Sequence, residues 1–428
     1  MTDTALIVPM HLASNSGVYV VRHALAQGMG VTSLALAILA LLGTLYAVGF
    51  ALIGIFVGFK NDDEDKNCFP TDGIRCATKF LVVVPAHNES SGLTATIASV
   101  LAQEYPKHHV RCVVVADNCT DDTAEIAAAA GAQVVIRTDT ARQGKGHALG
   151  WTFALLQELA WDAVCIIDAD SVVEPGFLQA LDASLKQGNH VVQARYDFLP
   201  ARDHGNWLQQ FTSVSKAGEN SFVYRSRERL GLSQLLVGNG FCVSRYALER
   251  VPWLAHSIVE DAEYALSLGQ KGIAVHYQER ARLWSRQAST VRDAQPQRVR
   301  WASGTWQLLR QAIPVLLTTA WRDRNWHALE EIVMLLMTSR IVLIYLLIMS
   351  FALSLAGAPT FFLLTWSLLA GVALLQLVYL VLMFRFACDR PVPIVGLLRL
   401  PYYVSVIVSA QVLALLGFNR RVWWRTAR

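Results

Sequence analysis

Phe80-Leu81-Val82-Val83-Val84-Pro85-Ala86-His87-Asn88-Glu89 is the stretch on which the fold turns. Five consecutive apolar residues with no polar alternation describe a strand buried on both faces, and the turn-forming residues after them mark its end. The pattern recurs downstream. Cys112-Val113-Val114-Val115-Ala116, Val134-Val135-Ile136, Ala163-Val164-Cys165-Ile166-Ile167 and Val191-Val192-Gln193-Ala194 read as further strands. Helical stretches separate them: Ser91 to Ala102, a second capped by Thr120-Asp121-Asp122-Thr123 and running to Ala130, and Gly146 to Leu159. Strands of this kind alternating with helices specify an α/β domain with a mainly parallel, doubly wound sheet. Ligands in such sheets lie beyond the carboxyl ends of the strands.

Three of these strands deliver carboxylates to that rim: Glu89 after the first, Asp117 after the second, Asp168 and Asp170 after the fourth. Acids gathered at one rim repel one another unless a cation or hydrogen-bond donors offset them. Asp168 and Asp170, two residues apart, suit a hard divalent ion that also binds phosphate oxygens, although Asp-x-Asp is equally at home in an ordinary turn. Gly144-Lys145-Gly146-His147 opens a helix, where backbone amides and the Lys145 charge favour an anion; a plain loop-to-helix junction reads the same way.

Farther along, Val237-Gly238-Asn239-Gly240-Phe241 is a Gly-rich turn, and Glu260-Asp261 precedes a helix from Ala262 to Leu268. Asp261 has the chemistry of a general base toward a hydroxyl, or of a helix cap. Gln297, Arg300 and Trp301 share one helical face by their i, i+3, i+4 spacing. Arginine grips phosphate through paired donors and tryptophan offers a flat apolar surface to a sugar ring. A membrane-surface helix with snorkelling arginines is the other reading of that cluster.

Taken together, Pro-Ala-x-Asn-Glu, a second-strand Asp, Asp-x-Asp, Glu-Asp and Gln-x-x-Arg-Trp occur in an order that resembles inverting family 2 glycosyltransferases of the cellulose, chitin and hyaluronan synthase type. The resemblance runs from about Lys79 to Gln311. It implies a GT-A nucleotide-diphospho-sugar transferase fold, a doubly wound mixed sheet flanked by transmembrane and interfacial helices. It further implies that Ala86, Glu89 and Asp117 contact the nucleoside, that Lys145 lies near the diphosphate, and that Asp168 and Asp170 hold the donor with Mg2+ or Mn2+. Asp261 would be the base, Arg300 would help close the donor site, and Gln297, Trp301, Gly238, Asn239 and Glu260 would face the acceptor.

The chain has 428 residues, of which 54% are hydrophobic and 16% charged, a greasy balance that points to a membrane. Val31 to Phe59 reads as an uncleaved span, Val333 to Ala356 and Thr360 to Phe384 as two more, and Ile394 to Phe418 as a span or an interfacial or re-entrant segment. Residues 1–30 read as weakly structured or interfacial. The implied organisation is an N-terminal segment with one span over 1–60, a linker over 61–78, a catalytic domain over 79–302, interfacial helices over 303–330 and a membrane region over 331–428. Gly304 to Trp326 read as surface helices, with a buried core helix as the alternative. Seven cysteines without Cys-x-x-Cys spacing fit reduced thiols rather than a zinc site or disulfide framework.

No basic run interleaved with aromatics points to nucleic acid, and the net charge of +4 suits anionic headgroups. Nucleotide sugars are cytoplasmic, which places the catalytic domain inside. Arg385 and Arg390 then fall inside as well, and Arg420, Arg421, Trp423, Trp424, Arg425 and Arg428 read as a headgroup anchor. The expected protein is an enzyme of a bacterial inner membrane that transfers sugar from a UDP-sugar to a growing exopolysaccharide or cell-surface glycan, with membrane lipids and an export system as partners. Transfer of one sugar to a polyprenyl phosphate, ceramide-like or glycerolipid acceptor is the alternative. A catalytically silent scaffold or nucleotide sensor is a third reading.

Overall fold

A computed structural model describes residues 10–64, 78–199, 206–322, 324, 326–338, 340–387 and 398–417. The chain forms two compact units, Met1–Gly49 with Glu330–Leu382, and Phe50–Leu329 with Met383–Arg428.

The second unit is built on one eight-stranded sheet. Its strands are β1 (Phe80–Ala86), β2 (Val110–Asp117), β3 (Gln133–Arg137), β4 (Ala163–Ile166), β5 (Ser171–Val173), β6 (Val191–Phe198), β7 (Phe241–Ser244) and β8 (Val275–Ser285). Their order across the sheet is β3-β2-β1-β4-β7-β6-β8-β5. The pairs β1–β2, β2–β3, β1–β4 and β6–β8 are parallel, whereas β4–β7, β6–β7 and β5–β8 are antiparallel. The sheet is therefore mixed, as the GT-A resemblance implies. The reversal comes from β5 and β7, both too short to stand out in the sequence. Every strand that carries a predicted site residue at its end still points its carboxyl end to the same rim.

The absence of alternation in β1 follows from where its side chains go. Phe80, Val82, Val84 and Ala86 enter one buried layer, where they meet helices α2 (Leu93–Leu101), α3 (Thr123–Ala129) and α5 (Phe177–Lys186). Leu81 and Val83 enter the opposite layer, beneath α4 (Lys145–Leu156), α8 (Arg245–Arg250) and α9 (Glu260–Gln270). Both faces are closed to water, so a polar residue has no place in the strand. The loops after β1 and β2 turn sharply through Asn88 and Asn118, whose φ angles of 56° and 50° lie in the left-handed region that Asn tolerates.

The sheet is flanked by α6 (Trp207–Gly218), a π-helical turn at Glu219–Tyr224 and α7 (Arg225–Arg229), and is followed by α10 (Val291–Arg322). In place of the several surface helices expected over Gly304 to Trp326, α10 runs unbroken through Pro314. It has two faces there: Leu308, Leu309, Ala312 and Leu316 are buried, while Val315, Leu317 and Trp321 are exposed. Helix Leu400–Leu415 packs along α10, with Ala410 and Ala414 against Val299 and Ala302. Trp306 Nε1 donates to Gln411 Oε1 at 3.1 Å and Gln295 Nε2 to Ser409 Oγ at 2.8 Å.

The N-terminal helix α1 (Met10–Glu64) is longer than the span read from sequence. Residues 10–30, expected to be weakly structured or interfacial, are helical despite Asn15, Gly17, Gly28 and Gly30, and the helix reaches into the acidic linker. Within the first unit, Ser33 Oγ donates to the Ser350 carbonyl at 2.7 Å, Ser350 Oγ returns a bond to the Ser33 carbonyl at 2.8 Å, and Gln376 Nε2 donates to Thr44 Oγ1 at 3.0 Å. Val18–Phe56 and Pro359–Phe386 are long and apolar enough to cross a membrane. The region expected as one span, Val333 to Ala356, is helical over Trp326–Thr338 and Arg340–Ala356, and Ser339 lies outside the described residues. Cys112, Cys119, Cys165 and Cys242 are free thiols. Cys68, Cys76, Cys388, Arg390 and the arginine-rich tail lie outside the described residues.

Leu149 is wholly buried beneath the sheet on α4. Leu149→Ala should destabilise the second unit by about 2–5 kcal/mol, read as a lower thermal midpoint; an unchanged midpoint would place that layer elsewhere.

Candidate active site

At the carboxyl rim of the sheet lies a cavity of about 350 Å3. Its floor is the β4–β5 turn, which carries Asp168 and Asp170. The turn is held from beneath by Asn239, whose Oδ1 accepts from the Asp168 backbone N–H at 3.0 Å and whose Nδ2 donates to Ser171 Oγ at 2.8 Å. Asn239 is 2% exposed, so its amide is committed to shaping the acidic turn. The Gln193 side chain in turn donates to the Asn239 carbonyl at 2.9 Å and accepts from the Val237 N–H at 3.0 Å, fixing the Gly-rich turn to β6.

Lys145, the first residue of α4, reaches across this floor. Its ammonium donates to both the Asp168 carboxylate and the Gly238 carbonyl. Burial works against the charged ammonium, but the carboxylates of Asp168, Glu260 and Asp261 outweigh it and raise the lysine's pKa. Gly238 sits at φ 74°, and a Cβ there would come within 2.9 Å of Asp261 Oδ2. Only glycine meets both demands.

Glu260 and Asp261 form the first turn of α9. Asp261 Oδ1 accepts from the Ala262 N–H at 2.8 Å, so a local cap and an outward-facing role are combined in one side chain. Burial raises the pKa of both acids. The Asp261 carboxylate pushes Glu260 higher still, while the Ala262 N–H and Lys145 hold Asp261 back. Opposite them, α10 presents Gln297, Arg300 and Trp301 to the cavity, with Trp301 46% exposed. Burial lowers the pKa of Arg300 and the Glu260 and Asp168 carboxylates oppose it, which places the guanidinium among the acids. The seating of α10 depends on Gly304, where a Cβ would lie 2.5 Å from Val259 Cγ1, beside the Glu-Asp pair.

The residues singled out from sequence thus meet at one cavity, with two exceptions. Glu89, Lys145, Asp168 and Asp170 line it, as do Gly238, Asn239, Glu260, Asp261 and the three residues of α10. Ala86 and Asp117 do not. They are 1% and 0% exposed and lie behind the wall. His87 stands between, lining the cavity while its Nδ1 donates to the Asp117 carbonyl at 2.7 Å.

Asp117 has a partner that sequence reading missed. Arg137, at the end of β3, donates to Asp117 Oδ1 at 2.6 Å, to Asp139 Oδ2 at 2.9 Å and to the Arg142 carbonyl at 2.7 Å. Burial raises the Asp117 pKa and Arg137 opposes it. The strand-end rule that selected Asp117 would have selected Arg137 too. The same rule points to Tyr196 near the end of β6, whose hydroxyl lies 2.7 Å from Ser285 Oγ. No one-dimensional signal marks the pairing of His147 with His256, whose rings stack at 4.1 Å.

Oxygen ligands suit Mg2+ or Mn2+, and Asp168 and Asp170 supply them on a single turn. Among the described residues no group of three or more His, Cys, Asp or Glu side chains is arranged to hold a metal ion. Two carboxylates on one turn have the chemistry to hold such an ion alongside phosphate oxygens.

A family description, glycosyltransferase like family 2, matches residues 77–304. A probable glycosyltransferase of Bacillus subtilis is 24% identical over 279 residues, 61% of this chain and 66% of that protein. The poly-beta-1,6-N-acetyl-D-glucosamine synthase of Staphylococcus epidermidis is 25% identical over 240 residues, 55% of this chain and 57% of the synthase. The chain spans less than two thirds of the length of these curated relatives. In fold it is similar to a mannosyltransferase of Pyrobaculum calidifontis solved with GDP-Man and Mn2+, at a TM-score of 0.54 and 18% identity, over 90% of this chain and 98% of that one.

Arg137→Met leaves the Asp117 carboxylate buried without its cation and should cost about 3–5 kcal/mol of stability. A melting temperature equal to that of the parent protein would remove Arg137 as the clamp.

Proposed function

Because this chain belongs to the glycosyltransferase like family 2, we propose that it is a membrane-integrated, inverting glycosyltransferase that moves a sugar from a UDP-sugar to a growing glycan. The observation that carries this reading is the meeting of Lys145, Asp168, Asp170, Asp261, Arg300 and Trp301 around one cavity. Lys145, Asp261 and the Asp168–Asp170 turn stand at three separate element ends and Arg300 and Trp301 on α10, so only the folded chain assembles a site that is cationic toward a diphosphate and basic toward a hydroxyl.

In this reading the diphosphate lies over the β4–β5 turn. Asp168 and Asp170 hold Mg2+ or Mn2+, which when bound supplies Lewis-acid charge to the departing diphosphate. Arg300, with its planar set of donors, grips phosphate oxygens from above. Trp301 provides the apolar face against which an acceptor sugar stacks. Asp261 takes the proton of the acceptor hydroxyl as that oxygen attacks the anomeric carbon from the side opposite the diphosphate, which inverts the linkage. Its raised pKa makes it a stronger base than an exposed aspartate. Asp117, clamped by Arg137 behind the wall, acts through His87 and the β1 loop to shape the nucleoside end.

Membrane integration rests on Val18–Phe56 and Pro359–Phe386 as spans and on the apolar outer face of α10 at Val315, Leu317 and Trp321 as an interfacial surface. The acidic site then faces the cytoplasm, where nucleotide sugars are made. The similarity to a polysaccharide synthase supports a polymeric product.

A panel of nucleotide sugars supplied to membranes containing the protein tests the reading as a whole. One donor should release its nucleoside diphosphate, and the labelled product should size as a polymer. A labelled lipid carrying one sugar would instead assign single-sugar transfer, and no release from any donor would leave a silent protein. Chelation with EDTA should abolish release and Mn2+ or Mg2+ should restore it; turnover undiminished in EDTA would remove the metal role of Asp168 and Asp170.

Asp261→Asn should lower kcat by at least about 100-fold while donor affinity stays close to that of the parent. The parent's kcat should rise with pH along an acid limb that lies above the ordinary aspartate value of about 4, because a raised pKa keeps the base protonated, and idle, to higher pH. An acid limb at the ordinary value, or full turnover by the Asn variant, would assign the proton to another group.

A further inference from the structure

The carboxylates facing the cavity are those of Glu89, Asp168, Asp170, Glu260 and Asp261. The ammonium of Lys145 is paired with one of them, and its side chain is 16% exposed against 38% for Asp168. Asp168 is also half of the Asp-x-Asp pair that has the chemistry of a metal ligand. An ammonium and a divalent ion on the same carboxylate repel each other and contend for the same lone pairs. Lys145 donates to Asp168 Oδ1, so an ion arriving alone meets a carboxylate already shared with an ammonium.

We propose that Lys145 is the resident cation of the donor site: it competes with the divalent ion for Asp168, and the ion binds tightly only together with a diphosphate that draws the ammonium away. This rests on the metal-assisted reading of the site given above. The lysine has a short route to a new partner. It stands at the N-terminus of α4 behind Gly144, where the helix dipole favours an anion. A diphosphate arriving there offers the ammonium negative charge in exchange for that of Asp168. Metal and diphosphate then favour one another through the displaced lysine, a reciprocal coupling of the kind that links two ligands by one shared element.

Lys145 is on this account a positioning residue whose removal has opposite effects on two ligands. A purely structural tie between α4, the acidic turn and Gly238 would have no such signature. The test is titration of the full chain in detergent micelles with Mn2+, the free ion being followed by electron paramagnetic resonance, with and without UDP. Lys145→Met should bind Mn2+ alone about tenfold more tightly than the parent, and should lose most of the about 5- to 150-fold gain that UDP brings to the parent. Lys145→Gln, which keeps an amide donor for the Gly238 carbonyl, should tighten Mn2+ in the same direction and decides the matter if the Met variant does not fold.

Variants that fold, by circular dichroism, yet bind Mn2+ alone no more tightly than the parent overturn the inference and leave the metal reading standing. No Mn2+ binding by parent or variants, even with UDP, removes the metal reading and the inference with it.

Discussion

The site is organised by one electrostatic constraint: several carboxylates from separate elements face a single partly buried cavity. Their mutual repulsion grows as water is excluded, because the effective dielectric falls. Of the cationic side chains that line the cavity, Lys145 and Arg300 are the ones whose charge acts on these acids. Lys145 bonds directly to Asp168, and Arg300 reaches in from α10 among the acids. The remaining strain appears in the acids themselves, with Glu260 and Asp261 both shifted toward their protonated forms. Such a cluster has little value as a stabilising device, since buried charge pairs at best offset their own desolvation. Its arrangement is understandable as a receptacle for a ligand that brings both positive and negative charge.

The same constraint explains the supporting residues. An acidic turn that is repelled by its neighbours must be fixed mechanically, and Asn239 does so with both ends of its amide. Gly238 is required where the turn passes Asp261, because a methyl group would occupy the space of the carboxylate. Arg137 performs for Asp117 what Lys145 performs for Asp168, at a place sealed from the cavity. These are short-range devices, each dependent on a contact between residues far apart in sequence, and none is visible in composition or periodicity.

What was legible in the sequence follows from that distinction. Burial on both faces leaves a one-dimensional trace, so β1, β2, β4 and β6 could be read directly; β3, at the sheet edge with Ile136 exposed, was legible from its β-branched run instead, and the rim rule then located Glu89, Asp168 and Asp170. β5 and β7, of three and four residues, are shorter than the window in which a period can be counted. Their reversal of direction, which makes the sheet mixed, was carried only by family resemblance. Asp117 was found by the same rim rule, but the rule says which edge a residue reaches and not which side of the wall it faces. Arg137 was overlooked because an arginine after a strand looks like an ordinary solvated charge until its partner is known. In the helical regions, hydropathy identified apolar runs and not their extents: α1 is longer than the span read within it, and Pro314 does not divide α10.

That continuity of α10 has a consequence for how the site is held. Gln297, Arg300 and Trp301 project from one face of the helix into the cavity. Val299 and Ala302, on another face, pack against Ala410 and Ala414 of helix Leu400–Leu415. Farther along the same helix, Gly304 lies against Val259 of the loop that leads into Glu260 and Asp261. The helix thus packs against the loop before Glu260 and Asp261 on one side and against an apolar helix on the other, with Gly304 at the first contact and Ala302, Ala410 and Ala414 at the second. Small residues allow close approach and permit little slack, because a close-packed interface transmits displacement rather than absorbing it. The packing of helix Leu400–Leu415 on α10 and of Gly304 on Val259 therefore positions Arg300 and Trp301 relative to Asp261 across the cavity.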